Sequence, residues 1–478
     1  MGMINPEVSR TAYDKIYYRT TTICPTCERL IPGEVVAHEG RVTITRECPE
    51  HGYVEGVVCS DVGWFESLSR FDVEPRKPKL SNRPKVRGCP ADCGLCPAHR
   101  QSAGTAAIEI SNRCDSACPV CLADNQQSFE MSVAEVRSIV EQALKDQGGL
   151  DILTLSGGEP TIHPDFFEIL DALRLPGIGR IVVNTNGIRI ARDDEFLARL
   201  STYDVYVSLH FDGQGARTLR GVDPGLQERA LERLLGAGIG AVPLVLAAHR
   251  VNDVELGQLV LGLLARRHVK SMILSLMAYT GHRGSRFPGD PLNRLTIPGA
   301  LDCIQSGSGG RLRKSDFMPL PMPNPLCAAV GYFLVDEDGA LPLVRLAGVD
   351  RMVDCIKNQH FAKADARFED FFRETIDRVY AESPAGAADA LRRFRRFLER
   401  LFPEGRSLSL QERTALAEEH VKTVYLMQFM DGWTFDSTRL AKCSCQHLLP
   451  EGRVVPSCGY YVYHRRFDPR FARRPTGR

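Results

Sequence analysis

Cys114, Cys118 and Cys121 stand in the stretch Asn112-Arg113-Cys114-Asp115-Ser116-Ala117-Cys118-Pro119-Val120-Cys121. The spacing is Cys-x3-Cys-x2-Cys, directly after an apolar run, Ala107-Ile108-Glu109-Ile110, that reads as a strand. Three thiolates on one short loop can hold three irons of a cubane cluster, and this loop offers no fourth. An iron left without a protein thiolate can bind a substrate or cofactor. Zinc is the alternative, but it prefers paired Cys-x2-Cys knuckles and four closed ligands. A second apolar run, Ile152-Leu153-Thr154-Leu155, leads into Ser156-Gly157-Gly158-Glu159-Pro160. Gly157 and Gly158 let a backbone approach a ligand closely, and Glu159 offers an acceptor nearby.

The remaining cysteines are clustered too. Cys89, Cys93 and Cys96 repeat the Cys-x3-Cys-x2-Cys spacing, with His99 three residues on. No strand precedes them, so an auxiliary iron–sulfur site is expected, with His99 or a distant cysteine as fourth ligand and zinc as the alternative. Cys24-Pro25-Thr26-Cys27 and Cys48-Pro49-Glu50-His51 fit a closed tetrahedral site for structural zinc or mononuclear iron. Cys59 could replace His51 there. Cys327, Cys443, Cys445 and Cys458 are candidates for another auxiliary cluster, against the alternative of buried free thiols. Cys303 and Cys355 lie on helical patterns and read as core.

The elements that must position these residues alternate. Strands are expected at Ala107–Ile110, Ile152–Leu155, Arg180–Val183, Val205–Leu209, Ala241–Leu246 and Ser271–Leu276. Between them lie helices. Ser132-Val133-Ala134-Glu135 is a capping box, followed by Val136, Ile139, Val140, Ala143 and Leu144 at helical spacing. Asp253–Arg267 repeats that pattern. Six such units imply a parallel sheet with helices outside, open or partly closed, and chemistry at the C-terminal strand ends. The expected organisation has four parts. Residues 1–80 are a small zinc-ribbon or rubredoxin-like domain with short strands, and 81–104 are a cluster-binding linker. Residues 105–300 are the core, and 301–478 form a C-terminal α+β domain that includes strands at Tyr332–Val335 and Arg453–Pro456.

The 478 residues and 43% apolar content allow a sizeable core. A formal net charge of +1 gives no polyelectrolyte argument for nucleic acid. Sixteen cysteines without a signal peptide or a membrane-spanning run point to a reduced, cytoplasmic setting and metal ligation rather than disulfides. The basic amphipathic stretch Leu391–Phe402 allows peripheral membrane contact, although an outer helix packing its stripe on the core is the commoner use. The arginine-rich tail from Arg465 to Arg478 reads as disordered. His210, His249 and His282 fall near strand ends and read as ordinary polar contacts. Tyr279 is a candidate radical relay.

The Cys114–Cys118–Cys121 loop followed by Gly157-Gly158-Glu159-Pro160 resembles the radical S-adenosylmethionine (SAM) superfamily. Further matches follow in order: Asn184-Thr185-Asn186-Gly187, then Ser208-Leu209-His210-Phe211-Asp212-Gly213, then Asn252-Asp253. The resemblance implies a partial (β/α)6 TIM-type barrel with a [4Fe-4S] cluster on the three cysteines. It implies SAM bound by Gly157, Gly158, Glu159, Pro160, Asn184, Asn186, Ser208, His210 and Asn252. It also implies reductive cleavage of SAM to a 5′-deoxyadenosyl radical, with electrons from a reductant such as flavodoxin or ferredoxin. Cys-Pro-Glu-His-Gly at 48–52, Cys-Gly-Leu-Cys-Pro at 93–97 and Gly-Arg-x-x-Pro-x-Cys at 452–458 narrow this. The layout resembles the 7,8-dihydro-6-hydroxymethylpterin methyltransferase-like proteins, which include tetraether lipid synthases. That likeness implies one or two auxiliary clusters and a small-molecule or lipid substrate, joined by methyl transfer or carbon–carbon coupling. The family's Gln-Phe-Asp-Gly reads His210-Phe211-Asp212-Gly213 here, and Pro119-Val120-Cys121-Leu122-Ala123-Asp124 lacks the family's aromatics; both leave the substrate open. A peptide maturase and a non-catalytic iron–sulfur carrier or scaffold are the alternatives.

Overall fold

A computed structural model describes residues 13–123, 129–281, 283–360, 366–382, 387–468 and 470. Asp124, His282 and the tail beyond residue 470 lie outside the described residues. The N-terminal part is a four-stranded antiparallel sheet in sequential order, β1 (Lys15–Ile23), β2 (Leu30–His38), β3 (Arg41–Cys48) and β4 (Gly52–Cys59). The core strands are β5 (Thr105–Ser111), β6 (Ile152–Gly157), β7 (Ile181–Thr185), β8 (Tyr206–His210), β9 (Gly240–Ala247) and β10 (Ser271–Leu276). All pair in parallel with their sequence neighbours. The helices between them include α1 (Val133–Gln147), α2 (Phe166–Ala172), α3 (Asp194–Leu200), α4 (Pro224–Gly236) and α5 (Leu256–Leu264). α1 starts on the Ser132–Glu135 capping box and ends at left-handed Gly148, where φ is 79°.

The core sheet is wider than six strands. After β10 the chain adds β11 (Met318–Pro319), β12 (Ala328–Asp336) and β13 (Gly339–Pro342). The helices α6 (Ala366–Glu382), α7 (Ala387–Leu401) and α8 (Leu410–His420) follow, then β14 (Val421–Met427), β15 (Cys445–Leu449) and β16 (Arg453–Pro456). β14 pairs in parallel with β10, and β15 in parallel with β5. Antiparallel β12 and β16 then continue the two ends, so the barrel stays open. The segment from 301 onward thus contributes strands to both edges of the core sheet rather than standing apart from it.

Burial alternates along these strands and separates two faces. Leu153, Leu155, Val183, Val207, Leu209 and Leu274 are fully buried against the helices. The alternate residues, among them Ser156, Asn184, His210, Val242, Leu244, Leu246 and Ile273, are only half-buried on the other face. A period of two with one sealed and one open face is what a parallel sheet with helices on one side and a cleft on the other produces.

The basic stretch at 391–402 lies in and just beyond α7. Phe394, Phe397 and Leu401 are buried in a cluster with Phe372 of α6. Its cations are paired: Arg393 with Asp336 at 2.7 Å, Arg396 with Glu337 at 2.9 Å and Arg395 with Glu399 at 3.0 Å. Its apolar stripe packs on the core, the commoner of the two uses expected of it. No helix among the described residues is long and apolar enough to cross a membrane.

Candidate active site and metal centres

The Cys114–Cys121 loop leaves the C-terminal end of β5. The Gly157 and Gly158 backbone is pressed against its root. A Cβ on Gly157 would sit 2.0 Å from the Ser111 carbonyl oxygen, and one on Gly158 would sit 2.1 Å from that of Arg113. Gly157 also has φ 131°. The N–H groups of Gly158 and Glu159 donate to Ser111 and Arg113 at 2.8 and 2.7 Å. The close approach these glycines permit is therefore to the loop's own stem.

The Glu159 carboxylate is well supplied with donors. Buried, it accepts from the Thr161 N–H and hydroxyl at 3.1 and 2.6 Å, from the Thr185 hydroxyl at 2.7 Å and from the Asn186 N–H at 2.7 Å. It fastens the ends of β6 and β7 together. Pro160 is buried at the start of the turn that follows. Asn186 is likewise spent: its Nδ2 donates to Asp115 at 2.7 Å, and its Oδ1 accepts from Ile188 N–H at 2.9 Å. It ties the cysteine loop to β7. Asn252 is buried with its Oδ1 accepting from Ala248 N–H and its Nδ2 donating to the Leu246 carbonyl at 3.0 and 2.9 Å. It therefore pins a turn and has no amide group free for a ligand.

Other expected residues remain available. In register, Asn184 lies beside Ser208. Asn184 Oδ1 and His210 Nδ1 are buried without a partner among the described residues. Buried polar atoms are nearly always satisfied, so two such atoms on the open face fit a polar ligand. His249 makes an ordinary contact with Asp253 at 2.8 Å. Tyr279 packs in the apolar cluster around Cys118, with Arg294 over its ring at 5.0 Å.

Sequence reasoning missed Arg220. Its guanidinium pairs at 2.9 Å with fully buried Asp212, which also accepts from Leu246 N–H at 2.7 Å. Burial works against the Arg220 charge, but Asp212 and the neighbouring Cys118 and Cys121 hold it in place. Burial pushes the Cys114 thiol up to about 12 and raises Cys121. Metal binding to such raised thiols is coupled to release of their protons.

Sequence reasoning also missed the anchor of the tail. Arg465, expected in a disordered segment, is buried, and its Nη1 donates to both carboxylate oxygens of Glu109 of β5, at 2.8 and 3.0 Å. The Tyr460 and Tyr461 hydroxyls donate to the same carboxylate, each at 3.2 Å. His447 Nε2 contacts Tyr461 at 3.1 Å, its Nδ1 contacts Ser457 at 3.0 Å, and the Ser457 hydroxyl donates to Cys445 Sγ at 3.3 Å. A continuous polar chain thus joins β5 to the late cysteines.

Those late cysteines come from three separate segments. Cys443 is raised by burial and then by the charges of Cys458, Cys445 and Cys327. Fully buried Arg439 donates to Cys327 Sγ at 3.3 and 3.2 Å, and its remaining amino group has no partner among the described residues. A buried guanidinium beside the Cys327 and Cys458 thiols, with Asp436 also near, suits an anionic centre better than a neutral one. Cys93 lies 3.9 Å from where a Cβ on Gly459 would stand, so the upstream loop adjoins this group. His99 is engaged elsewhere: its Nε2 lies 2.7 Å from the Gln101 carbonyl and 2.8 Å from the Gln446 amide nitrogen, and its ring also bonds to Cys443 backbone. Cys303 packs on the core as expected, and Cys355 joins the cluster under α7.

At the N-terminus, the donor atoms of Cys24, Cys27, Cys48 and His51 all lie within 4.8 Å of one another. Cys59 is elsewhere, its thiol donating to the Asp61 carbonyl at 3.2 Å, so His51 is the fourth donor. This sheet docks on the 430–437 segment. Arg46 donates to the Gly432 and Trp433 carbonyls, both at 2.8 Å, and Tyr18 donates to Asp436 at 2.8 Å. A Cys27→Ser variant is expected to lose one equivalent of zinc and to melt this sheet before the rest. Metal analysis with thermal unfolding checks this, and unchanged zinc content contradicts it.

Residues 84–260 match the radical SAM superfamily, and residues 16–60 match the HMPTM N-terminal zinc ribbon domain. Over 484 aligned residues, 94% of each chain, the protein is 25% identical to 7,8-dihydro-6-hydroxymethylpterin dimethyltransferase of Methanocaldococcus jannaschii. It is 31% identical to the mycofactocin maturase MftC of Mycobacterium ulcerans over 31% of this chain and 41% of that one. Among solved structures, Streptococcus suis SuiB bound to precursor peptide SuiA covers 44% of this chain and 46% of its own, at TM-score 0.35 and 17% identity. Residues 84–260 thus carry a radical SAM domain, with a zinc ribbon in front of it at residues 16–60.

Proposed function

We propose that this radical SAM enzyme forms a bond at an unactivated carbon, by methyl transfer to a pterin-like ring or by alkyl coupling. The reading rests chiefly on the likeness to the dimethyltransferase along 94% of both chains, whereas the maturase shares less than a third of this one. Cys114, Cys118 and Cys121 hold a [4Fe-4S] cluster, and Asn184, Ser208 and His210 face the SAM it binds. The donor set supports this: three thiols on one loop, a cation beside them, and two unpartnered polar atoms on the adjoining open face. When bound, SAM and the cluster supply a carbon radical that takes a hydrogen atom from the substrate. The chain's own groups do the positioning. Glu159 and Asn186 fix the loop against β6 and β7, Arg220 balances thiolate charge, and Val120, Leu219, Met277 and Phe287 wall it with apolar side chains. Cys327, Cys443, Cys445 and Cys458 hold one auxiliary cluster, and Cys89, Cys93 and Cys96 part of another. Cys24, Cys27, Cys48 and His51 hold zinc.

The open face beside the loop carries Val242, Leu244, Leu246 and Ile273, an aliphatic surface suited to a flat ring or an alkyl chain. Incubating the reduced protein with SAM and a hydroxymethyl dihydropterin is expected to add one or two methyl masses to the pterin. SAM cleavage with the pterin unchanged, together with modification of a peptide, overturns this reading in favour of peptide maturation.

A further inference from the structure

The stretch 75–91 contains Arg76, Lys77, Lys79, Arg83, Lys85 and Arg87 and no acidic residue, in a chain whose formal net charge is only +1. It forms neither helix nor strand, and Lys77, Lys79, Lys85 and Arg87 are exposed. Two of its cations are paired, Arg76 with Asp151 at 2.9 Å and Arg87 with Asp92 at 3.8 Å. Lys77, Lys79 and Lys85 have no acidic partner among the described residues. At its centre Val86 is 79% exposed, with Leu80 at 50%. Exposed apolar side chains within a stretch carrying three lysines without acidic partners are a feature of interaction surfaces.

The stretch runs directly into the Cys89–Cys96 loop and is held to it. Asp92 accepts from the N–H groups of Val86, Arg87 and Gly88 at 2.7, 2.5 and 2.6 Å. Arg453 extends the charge from the far side. Its Nε donates to the Cys93 carbonyl at 3.1 Å and its amino group to His464 Nδ1 at 2.7 Å, while His464 Nε2 donates to the Pro90 carbonyl at 2.8 Å. Burial and the like charge of nearby Arg83 lower the Arg453 guanidinium, and nearby Asp468 and Glu451 partly offset them. Cys89 and Cys96 are themselves half-exposed under this collar.

We propose that this basic collar is the docking surface for an acidic one-electron carrier protein, which reduces the enzyme at the Cys89–Cys93–Cys96 loop. This rests on the reading of that loop as part of an iron–sulfur site. The balance is one electron: the reduced carrier loses it and the centre in the loop gains it. Opposite charge on the two surfaces speeds encounter and orients the carrier, and the exposed Val86 and Leu80 give the contact a dry centre. A nucleic-acid strand fits less well, because no Phe, Tyr or Trp lies between residues 72 and 128 to stack a base.

The test uses the full-length, metal-loaded protein and its Lys77→Glu/Lys79→Glu/Lys85→Glu variant, each reduced either by flavodoxin hydroquinone or by dithionite. SAM cleavage driven by flavodoxin is expected to fall by on the order of tenfold or more in the variant. In the unaltered protein it is expected to fall with added salt. Cleavage driven by dithionite should change in neither case. Equal flavodoxin-driven rates in the two proteins, with no salt dependence, overturn the docking surface. So does a single-stranded oligonucleotide that binds the collar while flavodoxin does not. A Cys93→Ala protein with undiminished iron overturns the underlying reading of the loop instead, which separates the two failures. Should the triple variant not fold, the salt dependence of the unaltered protein with each reductant decides alone.

Discussion

Replacing Glu109 with alanine is expected to destabilise the protein by about 3–5 kcal/mol, because it leaves the Arg465 guanidinium buried beside β5 without its counter-charge. Both side chains of the pair are almost fully buried, and two tyrosine hydroxyls converge on the same carboxylate. Burial alone would raise the Glu109 carboxyl; Arg465 overcomes this and holds it below its usual range. A depressed carboxylate contributes stability that is present above the unfolded pKa of about 4.3 and is lost as pH falls through the native value. Denaturant unfolding at neutral pH checks the variant. A second variant, Glu109→Ala with Arg465→Met, removes both charges and should recover much of the loss. A single variant within 1 kcal/mol of the parent would show that the pair does not anchor the tail.

The Cys118→Ala variant is expected to lose SAM cleavage to below detection and to lose about four irons per chain, the content of one [4Fe-4S] cluster. Zinc content should be unchanged, since the ribbon's donors lie in a separate sheet. Cys118 is the buried member of the loop. It is packed against Val120, Leu219, Met277 and Phe287, so its methyl replacement leaves the walls standing. Iron and zinc analysis alongside product measurement separates loss of a cluster from loss of the fold. Cleavage that persists in this variant and disappears in Cys93→Ala would move the SAM-binding role to the upstream loop.

The strand-and-helix core was legible because each strand is an apolar run ending in the residues that chemistry or a turn requires. Ile152–Leu155 ends in Ser156-Gly157-Gly158, and Ser271–Leu276 was read to the residue. The edges were legible only in part: Arg453–Pro456 was read to the residue, and Tyr332–Val335 lies within β12. β15 is the short run Cys445–Leu449, and its pairing with Thr105–Ala107 joins positions over three hundred residues apart, which no local period encodes. The first half of β12 escaped because the strand is buried on both faces over most of its length and lacks the alternation that marks a half-buried strand. In the site, residue type was readable but its use was not. Glu159 and Asn186 carry ligand-like groups, yet the structure spends them on Thr185, Asp115 and backbone. Arg220 and Arg465 give no local signal of their burial, because their partners, Asp212 and Glu109, are recognisable only once strands and helices are packed.

The central claim is that Cys114, Cys118 and Cys121 at the end of β5 make this chain a radical SAM enzyme. Its most direct test is the amount of 5′-deoxyadenosine formed when anaerobically purified, iron-loaded protein is reduced with excess SAM. The account predicts 5′-deoxyadenosine from the unaltered protein and none from Cys118→Ala. A preparation with full iron and sulfide that forms none, with or without a hydroxymethyl dihydropterin present, would contradict it.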